Sequence, residues 1–234
     1  MAVYEIKYLH EVLPLIKKEA LIFFDLDNTL LEPVHEFGSI QWEEALVRDY
    51  IKKGIPEDEA HKKGSLIWRA VQTIIEIKLV EENTHLLINT LKEKGHLLFG
   101  LTARSRDVSS LTAKQLDTLG IEFHKSGHPP THLAIGAHYS DGVIHCGDTD
   151  KAPSLHAFLN HANLWKDKIV MIDDKRQYLD SAEHFFKALD VDFLGLRYGY
   201  LDERVAQYTP DFYSELFHKI LTHPTARDYL LQGL

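Results

Sequence analysis

The sequence predicts an α/β fold: a doubly wound, mostly parallel sheet with two insertions, a small helical cap and a β-hairpin. Three short apolar runs carry that prediction, Leu21-Ile22-Phe23-Phe24, His96-Leu97-Leu98-Phe99-Gly100-Leu101 and Lys168-Ile169-Val170-Met171-Ile172. Each is too short for a helix and apolar on both faces, as strands covered on both sides are. Helical patterns with recognisable ends lie between them, and strands alternating with helices make a parallel sheet. Polar residues follow every run. In open α/β sheets ligands bind outside the carboxyl ends of the strands, so these residues should converge in one crevice.

Taken in order, Met1 to Ala20 reads as a short amphipathic helix broken by Pro14, without the long apolar core of a signal peptide. The first apolar run follows. Between Pro33 and Glu82 the pattern gives two helices and no strand. The first carries Trp42, Leu46 and Tyr50 on one face and stops at Gly54; the second starts at Pro56 with Glu57, Asp58 and Glu59 in its first turn, where the helix dipole favours them. Thr84 can cap a helix running to Gly95, and another runs from Ser105 to Leu119 and stops at Gly120. His132 to Gly147 reads as two short strands around Asp141-Gly142, a hairpin signal. Ser154 to Leu159 is a short helical pattern, and Val191 to Leu196 a weaker fourth strand. The expected organisation is a sheet domain over 1–32 and 83–234, with the hairpin at about 132–147, interrupted by a helical cap over 33–82.

Composition bounds the function. The 234 residues are 44% hydrophobic and 26% charged, which is ordinary for a folded chain and excludes a disordered or fibrous one. A net charge of −9 disfavours general nucleic-acid binding, which draws its affinity from phosphate neutralisation. The 15 histidines give the charge a strong pH dependence. Cys146 is the only cysteine, so neither an intrachain disulfide nor a Cys-rich zinc module can form. The residue six after it is Ala152, not the arginine a thiol phosphatase needs. No run approaches about 18 apolar residues, so no membrane-spanning helix is expected. His124, His128 and His132 are spaced by four, but Pro129-Pro130 breaks any helix that would align them as metal ligands, and a loop is the better reading. The default compartment is the cytoplasm; oligomeric state is not legible.

The chemistry-bearing residues are Asp25, Asp27, Asn28 and Thr29 after the first run, Thr102 and Arg104 after the second, and Asp173 and Asp174 after the third. Lys151 precedes a helical pattern and can bring a positive charge to them. Several carboxylates in one cleft repel one another unless a cation neutralises them, and an all-oxygen ligand set suits Mg²⁺ rather than zinc. A carboxylate beside such an ion can attack a phosphoryl group, and a second one two residues on can protonate the leaving oxygen and later activate water. Arg104 can grip a phosphate or substrate carboxylate bidentately, or simply form an ion pair at the surface.

Phe24-Asp25-Leu26-Asp27-Asn28-Thr29-Leu30 resembles the first motif of the haloacid dehalogenase (HAD) superfamily. Leu101-Thr102-Ala103-Arg104 resembles its second, Lys151 its third and Ile172-Asp173-Asp174 its fourth, in order across most of the chain. The resemblance implies Asp25 as nucleophile and Asp27 as acid/base, with Thr102 and Lys151 positioning phosphate. It also implies Mg²⁺ held by Asp25, the backbone carbonyl of Asp27, and Asp173, with Asp174 nearby. The second aspartate marks phosphatase-type members rather than dehalogenases. Lys151 departs from the usual Lys-Gly, being followed by Ala152-Pro153, which leaves Lys168 and Lys175 as rivals. Gly38-Ser39-Ile40-Gln41-Trp42 and Leu196-Arg197-Tyr198 are similar to a little-characterised bacterial branch with members in intracellular pathogens, so secretion into a host cell stands beside the cytoplasmic default.

The expected activity is therefore Mg²⁺-dependent phosphomonoester hydrolysis through an aspartyl-phosphate. Asn28, Arg104 and Trp42 are candidate substrate contacts, although helical apolar spacing also suits Trp42 to a core. A small cap leaves room for a phosphoprotein, and Trp42, Tyr50 and Trp68 would favour an aryl phosphate such as phosphotyrosine; a phosphorylated metabolite is the other substrate class. The alternatives are a catalytically silent interaction module and a phosphotransferase or mutase.

Overall fold

The computed structural model describes residues 2–17, 19–127, 129, 131–210, 218 and 221–232; of the positions singled out above, Met1, His128 and Pro130 lie outside them. The chain divides into two compact units, Met1–Leu31 with Leu79–Tyr200, and Glu32–Lys78 with the residues from Leu201 onward.

The first unit opens with β1 (Ala2–Ile6), a 3-10 turn and the short α1 (Val12–Leu15), then β2 (Leu21–Phe24). The chain leaves this unit in β3 (Leu31–Pro33). It passes through α2 (Ile40–Lys52) and α3 (Glu57–Gln72) of the second unit and returns in β4 (Ile77–Leu79), which pairs with β3. Then come α4 (Thr84–Glu93), β5 (Leu97–Thr102), α5 (Ser109–Thr118), β6 (Thr131–His132), β7 (His138–Ser140) and β8 (Val143–His145). The unit closes with α6 (Lys151–Ala162), β9 (Lys168–Asp173), α7 (Arg176–Ala188) and β10 (Asp192–Tyr198).

Its sheet runs β1-β10-β9-β2-β5-β8-β7-β6, with the first six strands mutually parallel and the last two pairings, β8–β7 and β7–β6, antiparallel. This is the α/β class the apolar runs predict. Leu21, Phe23, Phe99, Leu101, Ile169 and Met171 bury in one cluster with Leu155, Phe158 and Leu159 of α6 and Leu179, Ala182 and Phe186 of α7. Ile22, Phe24, Leu98, Val170 and Ile172 alternate with them and are equally inaccessible, so both faces are covered. From β2 the chain builds outward through β5 and β8, then crosses by α6 to β9 on the other side. The strand order reverses beside β2, which is where such sheets bind ligands.

Four expectations are corrected. The N-terminal residues form a strand, not a helix, because Val3, Tyr4 and Ile6 are strand formers that pair in register with Gly195, Leu196 and Tyr198. Helix is confined to the stretch around Pro14. The 33–82 segment is not strand-free, since β4 pairs with β3. The hairpin is not an insertion: β8 pairs in parallel with β5 and so extends the main sheet, with β7 and β6 at its edge. Its turn is as read, Asp141 and Gly142 both taking positive φ (50° and 82°) as a two-residue hairpin turn requires. Finally, the residues after Tyr200 group with the helical unit rather than the sheet. There Arg204, from α8 (Asp202–Ala206), forks onto Glu32, a buried carboxylate that needs a partner, and reaches Glu36 at 3.1 Å. Helix α9 (Pro224–Gln232) packs on α3.

The core of the second unit is Phe37, Trp42, Leu46, Trp68 and Val71. Gly38 turns the chain at φ +80°, where a Cβ would lie 2.8 Å from Val71, and Ser39 caps α2 by accepting from the Trp42 amide at 3.2 Å. The Gly-Ser-x-x-Trp signature is thus a helix start and its packing anchor.

Candidate active site

The carboxyl ends of β2, β5 and β9 are adjacent, and the residues following them make one cluster. The Asp25 amide donates to the Ile172 carbonyl (2.9 Å), carrying the β2–β9 pairing one residue beyond the strand and setting the two acidic ends side by side. Asn28 takes φ 62°, a conformation Asn tolerates, and the Leu30 and Leu31 amides fold back onto the Leu26 carbonyl.

Lys151, the first residue of α6, lies at the centre. Its ammonium donates to Asp25 Oδ1 and to Asp173 Oδ2, each at 2.6 Å, and it is 2% exposed. Tyr178 offers its ring to the same ammonium, 4.8 Å from the centroid. Asp25 Oδ2 accepts from the Thr29 hydroxyl (3.0 Å), and Asp173 Oδ1 from the Lys175 amide (2.8 Å). Asp174 accepts from Asn28. The rivals to Lys151 lie elsewhere in role: Lys168 is at the opposite end of β9, paired with Asp192 at 3.3 Å, and Lys175 enters through its backbone.

Burial pushes the Asp25 carboxyl well above the usual range, Lys151 opposes that, and the like charges of Asp173 and Asp174 reinforce it. Burial and then Asp173 lift Asp174 to about 7. Burial acts against the Lys151 charge, but Asp173 and Asp25 outweigh it and hold the ammonium above its ordinary value. Carboxylates this crowded favour a further cation. Asp25, Asp173 and Asp174 each offer an oxygen within 4.8 Å of the others, the only such group among the described residues, and an all-carboxylate set suits a hard divalent ion such as Mg²⁺.

Around this cluster lies a second one. Arg104 forks onto Asp27, Nε to Oδ2 and Nη2 to Oδ1, both at 2.8 Å. Its Nη1 donates to Thr112 Oγ1 (3.1 Å) and Gln115 Oε1 (2.6 Å) on α5, and its amide to Thr102 Oγ1 (3.1 Å). Of the two roles open to it, ligand grip or ion pair, Arg104 is seen in an ion pair with the protein's own Asp27, buried rather than at the surface. Trp42 is 1% exposed in the core of the helical unit, where its indole is engaged in packing; a core residue offers a substrate no surface. Asn28 is buried against Asp174. The sequence reading did not single out Thr112, Gln115, Tyr178 or His145, none of which belongs to a motif. His145 stands in register with Thr102, is 2% exposed, and is held neutral to about pH 3 by burial, then by Arg104 and His138. Cys146 is buried, its thiol pushed up to about 11 by that burial, and so is inert.

Fold and site together define an α/β protein with a buried lysine and an acidic cluster at the carboxyl ends of neighbouring parallel strands. The chain belongs to the family described as "Protein of unknown function (DUF2608)", whose family model matches residues 4–224. It is 26% identical over 198 residues to a Chlamydia pneumoniae protein described as "Putative outer membrane protein", covering 83% of this chain and 76% of that one. A Chlamydia trachomatis protein of the same description is 24% identical over 190 residues, covering 81% and 73%. Among solved structures, a HAD family enzyme from Bacteroides thetaiotaomicron is similar at TM-score 0.41 and 10% identity, over 86% of this chain and 98% of that one. No helix among the described residues is long and apolar enough to cross a membrane.

Proposed function

We propose that the protein is a HAD-type phosphomonoester hydrolase that works through a phosphorylated Asp25. One observation carries the reading: Lys151 held at 2.6 Å from both Asp25 and Asp173, with Asp174 alongside. A structural salt bridge between Lys151 and two buried carboxylates has no need of a third, half-buried one beside it, whereas a phosphoryl-transfer site needs both the carboxylates and the positive charge.

In the first step an Asp25 oxygen attacks phosphorus, the bond to the leaving oxygen breaks, and that oxygen takes its electron pair and a proton from Asp27. Two of the three Lys151 donors go to the carboxylates, which leaves one for a phosphoryl oxygen. The Thr102 hydroxyl, at the end of β5, is the second phosphate contact. In the second step Asp27 takes a proton from water, which attacks the phosphoryl group and frees Asp25. Asp25, Asp173 and the Asp27 carbonyl, with Asp174 nearby, would hold a Mg²⁺ ion, which when bound would neutralise the carboxylates and the phosphoryl oxygens.

Either a phosphoprotein or a phosphorylated metabolite fits the proposal, the former as a host protein if the enzyme is secreted. Burial of Trp42 and Trp68 removes them as support for an aryl phosphate. The test is turnover of p-nitrophenyl phosphate with Mg²⁺, with EDTA and by Asp25→Asn, followed by phosphotyrosine peptides against sugar phosphates and nucleoside monophosphates. Turnover abolished by EDTA and by the substitution supports hydrolysis. Its absence from folded, Mg²⁺-loaded protein would favour the interaction module, and transfer to an acceptor other than water the phosphotransferase.

A further inference from the structure

Four of the five N–H donors of Arg104 are spent inside the protein: two on Asp27 and two, through Nη1, on Thr112 and Gln115. The arginine side chain is 2% exposed while that of Asp27 is 13% exposed, so the cation is enclosed and the carboxylate keeps access to solvent. Thr112 and Gln115 are three apart on α5 and so share one face of it. The Arg104 amide is tied to Thr102 at 3.1 Å, which fixes the root of the side chain at the end of β5. A rigid, planar guanidinium held at both ends can dictate where a carboxylate points.

We propose that Arg104 is a positioning residue that aims Asp27 at the leaving oxygen, and that α5 sets the aim through Thr112 and Gln115. The inference rests on the phosphatase reading and adds to it a role for a residue outside the phosphate and metal contacts. The fork occupies one lone pair on each Asp27 oxygen and leaves another on each for the transferred proton. The guanidinium moves no proton itself. It holds the carboxylate against rotation, so that proton donation to the leaving oxygen takes place in one geometry.

The experiment compares kcat/KM for phenyl phosphate and p-nitrophenyl phosphate with Mg²⁺, in wild type, Arg104→Lys, Gln115→Leu and Asp27→Asn. Nitrophenolate leaves without help, whereas phenolate needs a proton from the enzyme, and kcat/KM reports the step in which it leaves. Arg104→Lys should lose tenfold or more in kcat/KM on phenyl phosphate relative to p-nitrophenyl phosphate, within the ~10²–10⁴-fold that general acid catalysis contributes. Gln115→Leu should lose several-fold in the same ratio, and Asp27→Asn should show the largest loss. Gln115→Leu carries the test if Arg104→Lys fails to fold. Equal loss on both substrates, or none, overturns the inference and leaves the phosphatase reading standing. A wild type that hydrolyses neither ester removes both. In metal-free protein, urea midpoints of Gln115→Leu, Asp27→Asn and the double variant give an independent readout. Shifts that fail to add support the link from α5 to Asp27, and strictly additive shifts refute it.

Discussion

Acidification should destabilise this protein through His145, and by an amount that can be worked out. The side chain is 2% exposed on β8, beside Arg104 and His138, and burial, with those two cations or potential cations, lowers its pKa to about 3. In the unfolded chain it titrates near its ordinary value of about 6.5. Between those values the unfolded state holds a proton that the folded state refuses, so stability falls as pH falls. The full contribution is present above about pH 6.5 and drains at about 1.4 kcal/mol per unit below it. From about pH 7.5 to about pH 5 this amounts to about 2 kcal/mol from one side chain. Asp25 and Asp174 act in the opposite sense, since their raised values make the folded state the better proton binder. The total slope therefore does not isolate His145. Urea unfolding of wild type and His145→Asn across that range does, because the shared groups cancel in the difference. The variant's penalty should shrink by about 2 kcal/mol as pH falls to 5. A penalty that is constant with pH would mean that His145 takes up its proton as readily in the folded protein as in the unfolded chain, and the account of a neutral, enclosed imidazole would be wrong.

Other substitutions probe the rest of the site. Lys151→Met should cost about 3–5 kcal/mol in EDTA, because it leaves buried carboxylates without their cation, and a thermal melt unchanged from wild type would contradict the geometry. Asp174→Asn should stabilise the metal-free protein at about pH 8 by at most about 4 kcal/mol, the penalty of ionising a carboxyl whose value is about 7 against an ordinary one near 3.8. That gain is absent below about pH 4, grows as pH rises through 7, and should disappear in saturating Mg²⁺; denaturation curves at several pH values decide it. Trp42→Ala should lose about 3–5 kcal/mol as a core truncation while kcat/KM of the folded fraction holds, and a raised KM instead would restore the substrate contact. Gly142→Ala should cost about 1–3 kcal/mol, because φ is +82° there and a Cβ would lie 2.6 Å from Phe123 Cβ.

What was legible in the sequence was whatever leaves a local trace. Strands β2, β5 and β9 are apolar at consecutive positions because both faces are covered, and that burial is written directly into Phe23-Phe24 or Val170-Met171-Ile172. Strand β1 is at the sheet edge and mixes Glu5 with Val3 and Ile6, so its pattern competes with a helical one, and only pairing with β10 decides between them. The hairpin turn was readable from Asp141-Gly142, but its membership of the main sheet was not, because that depends on Gly100, Leu101 and Thr102 finding Val143, Ile144 and His145 across some forty residues of chain.

The same division runs through the site. Asp25, Asp27, Asp173 and Asp174 are visible because each lies at or just after the end of a buried strand, and strand ends are where this architecture exposes chemistry. Arg104 is visible as a residue but its role is not, since an arginine after a strand is equally suited to a bound anion or to one of the protein's own carboxylates. The choice is made by Thr112 and Gln115, two residues with no motif value, and by an aspartate 77 positions away. Once the guanidinium is enclosed, moving it onto a ligand would break four hydrogen bonds and strand the Asp27 charge, a cost that far exceeds what one surface phosphate contact returns. The enclosure turns an ambiguous side chain into a fixed one, and it ties the aim of Asp27 to a helix that carries none of the four motifs.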